Sequence, residues 1–165
     1  MKPDETKPVP LARRLAARLL HAALVSAAVF TLLSVTPSRP TTLGLHDGRL
    51  APCPASPNCV SSTAADAEHA VTPFPLDRPV SEAKAELKRA IAGLPRATLI
   101  SETENYLHYE FRSLVFRFVD DVEFQFEEAA KVIHLRSASR VGHSDLGVNR
   151  RRVEAIRARL PASMQ

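Results

Sequence analysis

A polar run near the C-terminus holds the residue types that bind anions. Between residues 136 and 151 the chain carries arginines, serines, a histidine, an aspartate and an asparagine around two glycines. The run leaves a predicted strand, turns and opens a predicted helix, and such a turn presents backbone amides beside the guanidinium groups. The sequence therefore predicts a site for an anionic or polyol ligand. Its candidate residues are Arg136, Ser137, Ser139, Arg140, His143, Asp145, Asn149 and Arg150.

Three carboxylates on a neighbouring predicted strand give this run a structural interpretation instead. Asp120, Asp121 and Glu123 are acidic partners that could neutralise the arginines inside the fold, and Asp145 would then only cap a helix. Residues 1–40 hold six of the 22 basic and two of the 18 acidic side chains, which leaves sixteen of each for the rest. This balance favours internal pairing, although both interpretations stay open at this level.

Catalytic chemistry is harder to argue from the same residues. The serines of the run lie beside His143 and Asp145, which are the residue types of a hydrolytic triad, but the chain has no Gly-x-Ser-x-Gly motif. Asp120, Asp121 and Glu123 could also act as an acid pair or hold a cation, although Asp121 and Glu123 on one strand face are more simply partners for arginine. An envelope hydrolase is therefore the alternative hypothesis, and the sequence predicts neither a metal site nor a cofactor.

Two cysteines, Cys53 and Cys59, lie in a proline-rich segment with five residues between them. They could form a disulfide, belong to a metal site completed by His46 or His69, act as a redox pair or remain free thiols. A disulfide is the favoured interpretation, because it would close a short loop in a segment with little core of its own.

A run without formal charge extends from Leu19 to Val35 and predicts a membrane anchor. As a helix it would reach about 26 Å, close to the roughly 30 Å hydrocarbon core of a bilayer. Arg13, Arg14 and Arg18 precede the run while Arg39 alone follows closely, so the positive-inside rule places the N-terminus in the cytoplasm. We expect a single-pass protein of the bacterial inner membrane with a periplasmic C-terminal domain.

A cleaved signal peptide and a buried soluble helix are the alternatives. The nearest candidate cleavage site is Ser34-Val35-Thr36, and Pro37 would hinder processing there. The anchor hypothesis predicts a basic cytoplasmic tail (1–18), a transmembrane signal-anchor (19–36), a linker (37–42) and an exported domain (43–165). The excess positive charge lies in the N-terminal part, which argues against nucleic-acid binding.

Periodicity predicts an α+β fold for the exported domain. Apolar stripes at helical spacing predict a helix over residues 82–94, capped by Ser81, and a last helix over residues 145–160. Between them, alternating patterns predict four strands at 98–102, 106–112, 119–127 and 131–137. Short connections favour a four-stranded antiparallel meander with the helices on its apolar face. Residues 44–62, here called the strap, are expected to be ordered without regular structure.

Hydrophobic alternation also predicts how the last two strands pair. Placing Phe124 opposite Leu135 keeps the apolar side chains on one face, whereas a slip of one residue would bury charges. This register puts Glu123 opposite Arg136 as a cross-strand ion pair.

Three motifs resemble those of the uncharacterised bacterial and plastid domain-of-unknown-function family numbered 1499. They are CPASPNCVSS from Cys53 to Ser62, FVDDVEF from Phe118 to Phe124, and RSASRVGHSDLGVNRRRVE from Arg136 to Glu154. The resemblance covers about residues 43–160 and implies the family pattern at Cys53, Pro57, Asn58, Cys59, Asp120, Asp121, Glu123, Arg136, Ser137, Ser139, Arg140, Gly142, Asp145, Gly147, Asn149 and Arg150. His143 stands where the family often has an aromatic residue. The family has no assigned activity, so the resemblance implies no chemistry.

Together these features predict a membrane-anchored periplasmic binding or accessory domain with its ligand site at the turn from Arg136 to Arg150. Its expected partners are the inner membrane, contacted through residues 19–35, and an anionic small molecule, a lipid head group or an envelope protein.

Overall fold

The computed structural model describes residues 11–33 and 38–165, which belong to two compact units. The first unit contains helix α1, Leu11–Leu33, whose early arginines are followed from Leu19 by residues without formal charge. Across the described residues, none of the helices combines the length and the apolar character needed to span a bilayer. Residues 1–10 of the predicted tail, 34–36 of the predicted anchor and Pro37 of the predicted linker lie outside the described residues.

The second unit, which the described chain enters at residue 38, has the predicted α+β character. Its elements in chain order are β1 (Leu45–His46), β2 (Arg49–Leu50), β3 (Cys59–Ser61), β4 (Phe74–Pro75), α2 (Val80–Ala92), β5 (Ala97–Thr103), β6 (Tyr106–Arg112), β7 (Val119–Glu127), β8 (Val132–Ser139), α3 (Val148–Arg157) and a 3₁₀ turn (Ala162–Met164).

The main sheet is larger than the sequence predicts. The predicted antiparallel meander is present as β5 to β8, but the described residues form a six-stranded sheet in the order β3-β8-β7-β6-β5, with β4 also paired to β8. The four-stranded prediction was wrong because β3 and β4 are too short to show alternation in the sequence. The prediction of an irregular strap was wrong for the same reason, since β1, β2 and β3 all lie within it.

The predicted register between the last two strands is confirmed. Phe124 lies opposite Leu135 and Glu123 lies opposite Arg136 in the β7–β8 pair. The apolar side chains of these strands pack with α2 and α3 in one core, which includes the fully buried Phe74, Leu87, Ile91, Phe124, Leu135 and Ile156. Both helices therefore cover the same face of the sheet.

The two helices begin at different residues from those predicted. α2 starts at Val80 behind Pro79, whose fixed φ suits the residue before a helix, so Ser81 lies inside the first turn instead of capping it. α3 starts at Val148 because Gly147 adopts a left-handed conformation with φ 77°, which interrupts the helical path. Asp145 still acts as a cap, since its carboxylate accepts hydrogen bonds from the backbone N–H groups of Gly147 and Asn149.

Candidate functional site

Strand β7 places its acidic side chains on both faces of the sheet. Successive side chains of a strand alternate, so Asp120 lies on the helix side while Asp121 and Glu123 lie on the opposite side. On that opposite side the strap contacts the sheet, where Gly44 N–H donates to Glu123 and the side-chain amide of Gln125 donates to the Gly48 carbonyl. The strap thus covers polar side chains.

A buried ion-pair layer lies on this strap-facing side. Its members are His108, Glu110, Asp121, Glu123, Arg136 and Arg140. Arg140 donates from Nε to Asp121 Oδ2 at 2.7 Å and from Nη2 to Glu110 Oε1 at 2.5 Å, and its side chain is 3% exposed. His108 Nε2 lies 2.8 Å from Asp121 Oδ1. Arg140 therefore neutralises two buried carboxylates.

Glu123 is the second centre of the ion-pair layer. Its Oε2 accepts from Arg136 Nη1 at 3.1 Å, and its Oε1 accepts from the Tyr106 hydroxyl at 2.7 Å and from Gly44 N–H at 2.8 Å. The Nε of Arg136 is buried without a hydrogen-bond partner among the described residues. The predicted Glu123–Arg136 ion pair exists and is buried, with both side chains under 10% exposed.

The surroundings of the layer favour the charged forms of Asp121, Glu110 and Arg140. Burial alone would raise the pKa of Asp121, but hydrogen bonds from Arg140 and His108 outweigh it, and the pKa lies below its ordinary value. Glu110 shows the same balance between burial and the guanidinium groups of Arg39 and Arg140, which together lower its pKa. The hydrogen bond to Asp121 is the largest cause of the raised pKa of Arg140.

A second polar network lies on the helix side, around the fully buried Asn149. Its amide nitrogen donates to the Asn58 carbonyl at 2.9 Å and to Ser139 Oγ at 3.0 Å, and its oxygen accepts from Ser137 Oγ at 2.6 Å. Arg152 also donates to this oxygen and to Asp120. The network joins the strap, β8 and α3.

The predicted anion-site residues do not converge on one surface. Arg136 and Arg140 belong to the ion-pair layer, whereas Ser137, Ser139 and Asn149 belong to the network on the other side of the sheet. His143 is exposed, Asp145 caps α3, and Arg150 donates to the carbonyls of Ala70 and Glu68. The arrangement matches the structural interpretation, in which acids from neighbouring strands neutralise the arginines.

The residues of the hydrolase hypothesis are also separated. Asp120 contacts Arg152 on the helix side, Asp121 contacts Arg140 on the strap side, and His143 lies in the exposed turn. Among the described residues, no group of three His, Cys, Asp or Glu side chains is arranged to hold a metal ion.

The predicted disulfide is confirmed. Cys53 and Cys59 are bonded, with their Cα atoms 5.6 Å apart. Cys59 is buried in β3 opposite Ala138 of β8, so the bridge ties Cys53, in the middle of the strap, to the strand at the sheet edge.

A cleft of about 390 Å³ opens on the helix side, between the first turns of α3 and the end of β6. We call it the arginine cleft. Apolar groups form much of its wall: Leu94, Pro95, Phe111, Leu114, Val148 and Ala155. Its charged lining residues are the arginines Arg96, Arg112, Arg151 and Arg152 and one carboxylate, Asp120. Its volume lies in the range of small-ligand sites.

The four arginines of the cleft differ in how far their charge is already neutralised. Arg152 pairs with Asp120 and lies over the Phe111 ring at 4.8 Å, and Arg112 pairs with Glu110. Arg96 and Arg151 are exposed and donate to the backbone carbonyls of Arg112 and Leu146 respectively. No carboxylate among the described residues lies within ion-pair distance of either one.

Sequence reasoning missed both His108 and Glu110 as members of the layer and Arg96 as a member of the cleft. The alternation in Tyr106–Arg112 places His108, Glu110 and Arg112 on one face, and pairing that face with Asp121 would have found the layer. Arg96 gives no such signal, because it lies in the short connection between α2 and β5 and its φ is 58°.

Two of the three motifs meet at the asparagine network, where Asn58 of the strap and Asn149 of α3 are hydrogen bonded. A search of curated proteins finds no match to the chain. The family described as "Protein of unknown function (DUF1499)" matches residues 49–160, a stretch that includes β2 to α3, and the chain belongs to this family.

Proposed function

We propose that this chain is a membrane-tethered binding module of the bacterial envelope, and that it binds an anionic amphiphile in the arginine cleft. The observation that carries the proposal is the composition of that cleft, in which an apolar wall meets the guanidinium groups of Arg96, Arg151 and Arg152 and a single carboxylate, while the guanidinium of Arg112 pairs with Glu110 on the other side of the sheet. A ligand with an acidic head and a hydrocarbon chain satisfies both parts of such a surface.

Arg96 and Arg151 are the residues we assign to the acidic head. Their guanidinium groups donate to backbone carbonyls, and no carboxylate among the described residues neutralises their positive charge. Phe111, Leu114 and Val148 would contact the hydrocarbon chain. Arg152 and Arg112 contribute less to the binding, because each already has a carboxylate partner.

The cleft is a better candidate than the turn from Arg136 to Arg150. Arg136 and Arg140 could bind a ligand only by giving up buried carboxylates, which would leave those carboxylates unpaired. We do not propose a hydrolase, because the acids and the histidine of that hypothesis lie on different sides of the sheet.

The membrane tether is proposed from the sequence, because no described helix meets the length and apolar character of a span, whereas the run without formal charge continues from Leu19 to Val35, beyond the last described residue of α1. The helix carries Arg13, Arg14 and Arg18 near its start and has no formal charge from Leu19 to its last residue, Leu33. Basic residues before an apolar run favour a cytoplasmic N-terminus. With that orientation the cleft lies on the periplasmic side, where Cys53 and Cys59 meet an oxidising environment.

Binding of a monomeric anionic amphiphile tests the role of the cleft. We expect the full chain in neutral detergent to bind dodecyl phosphate in isothermal titration calorimetry, and inorganic phosphate far more weakly. Replacing two cationic donors, Arg96→Gln with Arg151→Gln, should weaken the binding by about a hundredfold or more, because each lost charge-assisted hydrogen bond contributes roughly 1.5 to 3 kcal/mol.

The matched control is Arg89→Gln, which removes an exposed arginine of α2 that lies outside the cleft. Its affinity should equal that of the unmodified chain. Equal affinity in the double variant, or an equal loss in the control, contradicts the proposal. The tether is tested separately by fusing an alkaline phosphatase, which is active only in the periplasm, to the C-terminus. We expect an active fusion, and an inactive fusion that remains in the cytosol would overturn the proposed tether.

A further inference from the structure

The exposed large apolar side chains of the second unit gather at one end of the sheet. Among the described residues from 38 onward, all of them except Leu99 come from two segments. The β6–β7 loop contributes Leu114, Val115, Phe116 and Phe118, and the turn before α3 contributes Val141, Leu146 and Val148. We call these seven residues the apolar end.

The two segments of the apolar end lie at the same end of the sheet. Arg140 N–H donates to the Val119 carbonyl at 3.0 Å, which brings the chain after β8 beside the start of β7. Leu114 of the first segment and Val148 of the second both line the arginine cleft. The apolar end therefore borders the cleft from both segments.

The loop at its centre is held in shape by its own contacts. Ser113 N–H donates to the Phe118 carbonyl at 2.9 Å, Phe118 N–H donates to Ser113 Oγ at 2.9 Å, and the Phe116 and Phe118 rings stack 5.5 Å apart. Three consecutive side chains, Leu114, Val115 and Phe116, are 72%, 54% and 45% exposed. A closed loop thus presents apolar groups to solvent at a cost in free energy.

We infer that the apolar end docks on an anionic lipid bilayer, with Leu114, Val115 and Phe116 inserted among the lipids. The inference rests on the proposed function, since the same bilayer would present an acidic head group to the arginine cleft. Arg96 and Arg151 line the arginine cleft together with Leu114 and Val148, and Arg117 lies between Phe116 and Phe118 in the loop. No carboxylate among the described residues pairs with these three arginines. Basic residues beside inserted apolar groups match the charge of an anionic membrane surface.

The exposure of consecutive residues favours a bilayer over a protein partner. Neighbouring side chains of a loop point in different directions, so a flat protein surface would cover part of them, whereas lipid surrounds an inserted loop on all sides. A second copy of this chain would bring the same arginines together, and that contact is repulsive.

A single tryptophan tests the docking, because the chain has no native tryptophan. The full chain carrying Phe116→Trp is reconstituted into vesicles whose acyl chains are brominated, made either of phosphatidylglycerol with phosphatidylcholine or of phosphatidylcholine alone. We expect a blue-shifted emission and strong quenching in the anionic vesicles. The matched control is Glu104→Trp, in the exposed β5–β6 turn, about 20 Å away at the other end of β6. Its emission should stay unquenched.

Charge is tested in the same experiment. Adding Arg117→Gln to Phe116→Trp should lower the ratio of quenched to unquenched protein by about fivefold, as expected for one basic residue near an anionic surface. Unquenched Phe116→Trp emission, or equal quenching of Glu104→Trp, overturns the inference. A blue shift that depends on protein concentration without vesicles also overturns it and identifies a second copy as the occupant.

Failure of the docking can be told apart from failure of the proposed function. Dodecyl phosphate binding is measured on the same Phe116→Trp protein in detergent, without a bilayer. Binding without quenching supports the cleft and rejects the docking. Quenching without dodecyl phosphate binding supports the docking and rejects the cleft as a ligand site.

Discussion

Asp120 and Asp121 are adjacent in the chain but stabilise different parts of the molecule. Asp120 pairs with Arg152 of α3, and Asp121 pairs with Arg140 in the layer beneath the strap. The alternation of a strand is the physical cause, since it sends neighbouring side chains to opposite faces. A pair of adjacent carboxylates in β7 is therefore not an acid pair.

At the scale of the residue, Arg140 should be essential for stability. Arg140→Met leaves Asp121 and Glu110 buried without their main cation, and we expect it to lower the free energy of unfolding by about 3 to 5 kcal/mol. Urea denaturation followed by circular dichroism measures the loss.

The control for Arg140 is Arg89→Met, because Arg89 is 70% exposed and pairs with Glu86 on the surface of α2. It should change the stability by less than about 0.5 kcal/mol. A loss below 1 kcal/mol for Arg140→Met would mean that the ion-pair layer tolerates an unpaired acid and that its charges are poorly coupled.

At the scale of the element, the disulfide should stabilise the strap against the sheet edge. The free energy of unfolding of the double variant Cys53→Ala, Cys59→Ala is expected to be about 2 kcal/mol lower, because its unfolded chain is no longer closed into a short loop and gains conformational entropy. Urea denaturation with and without dithiothreitol measures it. Reductant should destabilise the unmodified chain and leave the variant unchanged, and an effect on both would contradict this cause.

The strands with long alternating patterns could be predicted from sequence, and the short ones could not. In β7 the apolar Val122, Phe124 and Phe126 alternate with polar residues, and in β8 Ile133 and Leu135 do the same, which was enough to predict both strands and their register. β3 has three residues and β4 has two, and their position in the sheet comes from partners distant in sequence, such as Ala138 opposite Cys59. No local pattern carries that information.

The candidate site illustrates the same limit. The acids and arginines of the ion-pair layer were identifiable by type, and Glu123 with Arg136 also by register. The arginine cleft was not, because it combines the connection before β5, the end of β6 and the first turns of α3. Only the packing of α3 on the sheet brings these three segments together.

At the scale of the whole molecule, the lowered pKa values of Asp121 and Glu110 predict sensitivity to acid. A carboxylate whose pKa is lower in the folded state stabilises the fold above its unfolded pKa, and that stabilisation is lost as the pH falls through the folded value. We therefore expect the free energy of unfolding to fall as the pH drops below about 4.

Urea denaturation between pH 7 and pH 3 tests this dependence. The variant Asp121→Asn should be less stable at pH 7 and should lose less on acidification, because one of the responsible groups is gone. Glu104→Gln, a substitution in the exposed β5–β6 turn, should follow the unmodified chain. An unchanged acid loss in Asp121→Asn would assign the sensitivity to other carboxylates.

The hydrogen bond between Asn58 and Asn149 joins residues that are 91 positions apart. During synthesis the strap therefore leaves the ribosome long before β8 and α3 exist, and β3 has no strand to pair with until they follow. Loops of this length close slowly compared with local contacts. The early strap is thus the part of a nascent chain most in need of protection from wrong partners, and a helper protein that acts on it would have to release it only after the C-terminal helix has emerged.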